Sequence, residues 1–231
     1  MMLDIFSSFD PGTNLIHSSF SPSMFWISIM TTIMIFSGTL WTTPSPITLI
    51  LFSSMSIMNE QSNRTSSIHI KGMNHMLVTL FIMIIVINLM GLLPAVFSFS
   101  SHLIFTLSFG LPLWMTLIIS GIMFNPSSWA ASLLPGGAPD WLNPFLVIIE
   151  TISITVRPIT LSFRLAANMS AGHIVLALMS SYGTAAVFSS IWTLILIILT
   201  QIGYIMFEFG ICLIQAYIFC LLLSLYSNDH P

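Results

Sequence analysis

Two apolar runs in the C-terminal half constrain this chain more than anything else in it. One extends from Asn143 to about Met179 and the other from Thr184 to Tyr226. As α-helices they measure roughly 50 and 60 Å, against a hydrocarbon core of about 30 Å. Inside a bilayer every backbone N–H and C=O must find its partner within the protein, so runs of this kind become helices. A polar turn in the middle would divide either run into two upright spans, and neither run contains one. Each is therefore expected to be one helix, tilted beyond the ordinary limit of about 40°. Pro158 is expected to kink the first rather than end it.

The rest of the chain reads the same way. Apolar residues make up 56% of it and charged residues 5%, where a soluble domain carries about a quarter charged. This is a single integral membrane domain over residues 1–231, all-α and polytopic. The formal net charge of −3 carries no nucleic-acid signal. A first span is expected at Pro22–Trp41. Residues 44–58 are apolar but too short to cross, and so predict a surface (interfacial) or re-entrant helix. A polar segment from Asn59 to Gly72 holds Arg64 and Lys71, and the positive-inside rule turns it to the inner side of its membrane, with the N-terminus on the opposite side; for a mitochondrial inner-membrane protein, which the resemblance below implies, these are the matrix and the intermembrane space. Spans at 73–97 and 102–124 follow. The Pro- and Gly-rich stretch from Asn125 to Asn143 is expected to be a water-facing loop anchored by Trp129 and Trp141. That makes about five membrane helices plus the short interfacial one. The first fourteen residues hold no Lys or Arg, so they do not read as a cleaved targeting segment. Cys212 and Cys220, eight apart, are too distant to bridge and read as small buried hydrophobes.

Against this background, the segment Glu150–His173 stands out. The whole chain has four Lys+Arg, and two of them, Arg157 and Arg164, lie here inside an apolar helix. A charge at bilayer depth costs roughly 2.5–3.5 kcal/mol on insertion scales. Glu150, Arg157 and Arg164 recur every seven residues and fall on one helical face, with Asn168 one turn further. His173 points to the other side. The small residues Ala166, Ala167, Ser170, Ala171 and Gly172 let another backbone approach closely. The last run has its own polar line, Gln201, Glu208 and Gln215, again every seven residues, with Tyr204 one turn from Glu208. In an antiparallel hairpin Gln215 approaches the Arg164 level and Glu208 comes nearer His173. Asn88, in the second span, either lines a wet cavity or makes an interhelical hydrogen bond, the second being the commoner role.

The run Arg164-Leu165-Ala166-Ala167-Asn168-Met169-Ser170-Ala171-Gly172-His173 resembles the signature of subunit a of the F-type ATP synthase. Ile214-Gln215-Ala216-Tyr217-Ile218-Phe219 and Asn143-Pro144-Phe145-Leu146-Val147-Ile148-Ile149-Glu150 resemble two further segments of that family. Order, spacing and length agree over essentially the whole chain. A histidine after Ala-Gly, with a glutamate in the last helix, resembles the mitochondrial branch. The resemblance implies a near-horizontal helical hairpin lying against a rotor ring of proteolipid c subunits, with residues 143–179 and 184–226 as its arms and Ser180-Ser181-Tyr182-Gly183 as its turn. It implies a stator subunit of the mitochondrial inner membrane that is not catalytic by itself, with other stator and peripheral-stalk subunits as partners. It also implies two proton half-channels that do not meet.

Residue chemistry agrees with proton handling. There is no phosphate-binding loop and no dinucleotide fingerprint, and no metal or cofactor site is expected. Histidine and glutamate pass protons through ordered water near neutral pH. Arginine stays charged, so it acts as a barrier and an electrostatic partner. In the half-channel scheme Arg164 faces the ring carboxylate between the channels. His173, Glu208 and Asn88 line the inlet, and Glu150 lines the exit. Asn168 and Gln215 restrain Arg164. Arg157 either sits in the exit channel or snorkels to a lipid headgroup. A self-contained proton-coupled secondary transporter is the alternative, but no internal repeat supports it. A haem protein would need paired histidines across two spans.

Overall fold

A computed structural model describes residue 9 and residues 46–93, 98–134 and 140–228. The span expected at Pro22–Trp41 lies outside the described residues. Among the described residues the chain is all-helical, with six α-helices joined by short 3-10 turns. Four of them are long and apolar enough to cross a membrane.

Helix α1 is Pro46–Asn63. It runs five residues past the predicted end at 58, because polar Asn59, Ser62 and Asn63 find partners there. Asn74 Nδ2 donates to Asn59 Oδ1 at 2.9 Å and to Asn63 Oδ1 at 3.2 Å, and Ser62 Oγ bonds Asn74 Oδ1. Along the apolar part, the hydroxyls of Ser53, Ser54 and Ser56 return to carbonyls one turn back, which satisfies them without water. Leu49, Ile50 and Phe52 stay exposed. Gly72, at φ 83°, turns the chain into α2, Met73–Gly91. That left-handed conformation suits glycine because a Cβ would clash with the backbone.

Helix α2 stops at Gly91 and not at the predicted 97. Pro94 follows closely, and the residue before a proline is pushed out of the helical region. Helix α3, Leu103–Phe124, opens one residue later than predicted, because His102 is extended and serves as its N-cap. The expected loop at 125–143 contains a seven-residue helix, α4, Pro126–Ser132. Asn125 caps it by accepting from Ser128 N at 3.4 Å, and Pro126 supplies a ready-made helical φ at its first position.

The two long runs are single helices, α5 over Asn143–Val187 and α6 over Ile191–Asn228. They pack against each other as an antiparallel hairpin, α5 also against α3 and α6 against α2. Pro158 removes one backbone hydrogen bond without ending α5. The predicted turn at Ser180–Gly183 is a correction: those residues are helical, α5 continues to Val187, and residues 188–190 make the turn. A glycine in a helix costs only about 1 kcal/mol, less than leaving backbone groups unpaired in lipid. What opens α6 is Ser190, whose Oγ accepts from Thr193 N at 3.4 Å.

The far end of the hairpin is tied down as well. Ser66 N donates to Asn228 Oδ1 at 2.8 Å, and the Ser66 hydroxyl shares its one hydrogen between the Ser227 carbonyl at 2.7 Å and Asn228 Oδ1 at 2.9 Å. The polar corner between α1 and α2 and the end of α6 therefore lie at the same end of the molecule. Between the hairpin and α2, the core is built from Leu77, Phe81, Leu161, Leu165, Phe219 and Leu223.

Candidate functional site

The hairpin interface is layered, and each layer joins one α5 residue to one α6 residue. Asn168 Nδ2 donates to Gln215 Oε1 at 3.1 Å. Next, Met169 Sδ lies 3.7 Å from Cys212 Sγ. The third layer sets Gly172 against Glu208. A Cβ at position 172 would stand 2.5 Å from Glu208 Oε1 and 2.6 Å from Oε2, so the carboxyl group occupies space that the glycine leaves open, and any side chain at 172 would push it aside. The predicted approach of Glu208 to the His173 level follows directly from this antiparallel register.

Glu208 is 2% exposed. Tyr204, one helical turn before it, donates its hydroxyl to Oε1 at 2.6 Å, while Oε2 has no hydrogen-bond partner among the described residues. His173, beside Gly172, has its Nε2 buried and likewise without a hydrogen-bond partner among them. The Phe9 ring meets the imidazole edge-on, with centroids 6.3 Å apart. A buried carboxyl and a half-buried imidazole at this level of the hairpin are groups that can accept and release protons.

Arg164 is placed quite differently. It is exposed on the outer face of α5 and makes no ion pair with a described residue. Thr160, Ala167 and Ala171 are exposed on the same face, so the cation stands in a strip of short side chains. Of the line predicted at seven-residue spacing, only the first pair is formed: Arg157 Nη2 lies 3.4 Å from Glu150 Oε1. The Arg157 guanidinium also covers the Tyr226 ring at 5.4 Å, a favourable cation–π geometry. Both groups line a cavity of about 160 Å³ together with Trp114, Trp129 and Tyr226.

Glu208 and Tyr226 are eighteen residues apart on α6, about 27 Å along the axis. The space between the two polar regions is filled by buried Leu161, Leu165, Phe219 and Leu223, with the Asn168–Gln215 bond as a polar layer within it. Asn88 belongs to neither region. It is 1% exposed, makes no side-chain hydrogen bond with a described residue, and lines a small cavity with Ser100, Thr106, Leu165 and Phe219. The interhelical hydrogen bond weighed for it is absent, and neither Glu208 nor His173 borders its cavity. Cys212 and Cys220 are both free and buried.

Sequence reasoning passed over the steric role of Gly172 and the contribution of Tyr226. Gly172 was visible only as one small residue among several. Tyr226 falls on the Arg157 level only once the hairpin register is known.

Comparison with known proteins reaches the same region of sequence space from outside. The family model described as ATP synthase A chain matches residues 22–228. ATP synthase subunit a of Albinaria caerulea is 40% identical over 231 residues, covering 100% of both chains. ATP synthase subunit a of Locusta migratoria is 37% identical over 231 residues, 99% of each chain. ATP synthase F(0) complex subunit a of Rhopalosiphum padi is 34% identical over 230 residues, 99% of this chain and 100% of its own. A match spanning nearly every described helix, with relatives aligned end to end, makes this chain a member of the ATP synthase A chain family.

Proposed function

We propose that the chain is the proton-conducting stator subunit of the membrane sector of a mitochondrial ATP synthase, and that it couples proton flow to rotation of a ring of c subunits. It works in the inner membrane, alongside other stator and peripheral-stalk subunits, and performs no bond-making chemistry of its own. The observation that carries this reading is the separation of three functions on one hairpin. Two proton-accepting residues, buried Glu208 and half-buried His173, stand about 27 Å from the Glu150–Arg157 cavity, and Arg164 is exposed on the outer face with no acidic partner among the described residues.

In this scheme protons enter from the intermembrane space to His173 and Glu208 and pass to a ring carboxylate. The neutralised carboxyl turns into lipid and reaches the other side of the stator after most of a revolution. There it releases its proton into the Glu150–Arg157 cavity, which opens to the matrix. The potential supplies about 2.3 kcal/mol per charge per 100 mV for these steps. Arg164 attracts the ionised ring carboxylate as it crosses and, being always protonated, passes no proton itself. The apolar core between the two polar regions keeps them from joining within the subunit. Asn168 and Gln215 brace the α5 turn behind Arg164, and Asn88 stands beside the inlet rather than on it. Arg157 sits in the exit cavity, held between Glu150 and Tyr226, rather than at a headgroup. By the positive-inside rule, the corner carrying Arg64 and Lys71, and the C-terminal end tied to it, face the matrix.

The test is Arg164→Gln in reconstituted vesicles. The complex assembles, ATP synthesis is abolished, and the membrane sector leaks protons once the soluble part is removed. Substantial synthesis by a fully assembled Arg164→Gln complex would show that a fixed cation at this position is not the coupling element. Copurification with a proteolipid ring and a soluble ATPase separates this reading from that of a self-contained transporter.

A further inference from the structure

The carboxyl group of Glu208 is held unevenly. Its Oε1 accepts the Tyr204 hydroxyl at 2.6 Å, while Oε2, also buried, has no hydrogen-bond partner among the described residues. Gly172 of α5 leaves the carboxyl the space that a Cβ would take. Tyr204 and Glu208 are four residues apart, so one rigid helical turn sets the hydroxyl over Oε1. The other titratable neighbours are His173 from α5 and Cys212 from α6. Helix α2 contributes Asn88, whose carbonyl oxygen lies 4.0 Å from Cys212 Sγ. Arg164 is two turns away on the exposed face.

We propose that Tyr204 is a positioning residue for proton transfer at Glu208: its hydroxyl fixes Oε1, so that Oε2 is the oxygen that takes and gives up the proton. This rests on the reading of Glu208 as a proton relay. When the proton arrives, an O–H bond forms on Oε2, and it breaks again when the proton leaves. The Tyr204 O–H stays intact and donates to Oε1 in both states, more strongly when the carboxylate is ionised. Fixing one oxygen keeps the carboxyl from rotating its proton toward the packed interior.

Tyr204→Phe removes the hydroxyl and little else. In reconstituted holo-complex, synthesis is followed at a fixed proton-motive force. Loss of the donor slows it by about ten-fold, since a hydrogen bond to a charged group is worth at least that factor, while the complex assembles as the wild type does. A second variant carries 3-fluorotyrosine at 204, which keeps the donor and the shape, and retains the rate. Glu208→Gln serves as the reference and is inactive. If it is inactive and Tyr204→Phe keeps the wild-type rate, the positioning role is wrong and the relay stands. If Glu208→Gln synthesises at the wild-type rate, the relay reading and this inference fall together.

Discussion

Gly172 and Glu208 show how a residue of no chemistry can decide where a residue of much chemistry sits. A methyl group at 172 would overlap the carboxyl, which, as the end of a flexible side chain, swings aside. Gly172→Ala is therefore expected to misplace the carboxyl and slow proton-driven synthesis by about 10-fold or more, with assembly intact. Glu208→Asp pulls the carboxyl back by one methylene, so the double variant should recover part of what Gly172→Ala loses. Assays of synthesis in the two single variants and the double decide the matter; simply additive losses would mean the two residues do not meet. A second substitution at this scale tests the cation. Arg164→Lys keeps a charge but gives up the planar fork, and a desolvated lysine can lose its proton. Coupling is expected to be abolished in an assembled complex, and synthesis near wild type would show that charge alone suffices. Both positions were legible in the sequence, but to different depths. The seven-residue spacing marked Glu208 and Gln215 for one face, whereas nothing local says that Gly172 must be empty, because that demand comes from a residue thirty-six positions later.

At the scale of the element, the two arms of the hairpin were legible from the length and unbroken apolarity of their runs. The turn between them was not. Ser180-Ser181-Tyr182-Gly183 looks like a breaker, yet in lipid a helix persists through serine and glycine: the Ser181 hydroxyl simply returns to Leu178 O at 2.8 Å. The turn that forms at residues 188–190 depends on capping by Ser190, a weaker signal than a glycine. The two locations make opposite predictions for Gly183→Ala. Inside a helix, where a Cβ would meet only Ile197 Cγ2 at an ordinary 3.8 Å, alanine is expected to stabilise by up to about 1 kcal/mol. In a turn it would destabilise. Ser190→Ala should instead lose about 1 kcal/mol through the missing cap. Thermal dissociation of the detergent-solubilised complex reads both signs. Asn88 belongs to this scale too. Its sequence position was clear, but whether it found a partner depended on how α2, α3 and the turn at Phe99–Ser101 close around it.

For the whole molecule, helix length is the main argument. Helices of 45 and 38 residues measure roughly 68 and 57 Å, while the bilayer with its headgroup regions is about 40–45 Å thick. Upright, either arm would push apolar side chains such as Val187, Trp192 and Ile195, all exposed, into water. Burying one such side chain is worth about 1.5–3 kcal/mol, far more than the fraction of a kcal/mol per Å that tilting or thinning costs. The attachment of Asn228 to Ser66 holds one end of α6 against the polar corner, so the slack cannot be taken up by sliding the hairpin through the membrane. Both arms are therefore expected to lie more than about 40° from the membrane normal, which spreads the Arg164 face along the plane of the bilayer, where a passing ring of helices meets it side-on. Helix axes measured against the membrane normal in the complex embedded in a bilayer test this. Arms within about 30° of the normal, in a bilayer of ordinary thickness, would show that the membrane yields to the hairpin and that length alone does not set its tilt.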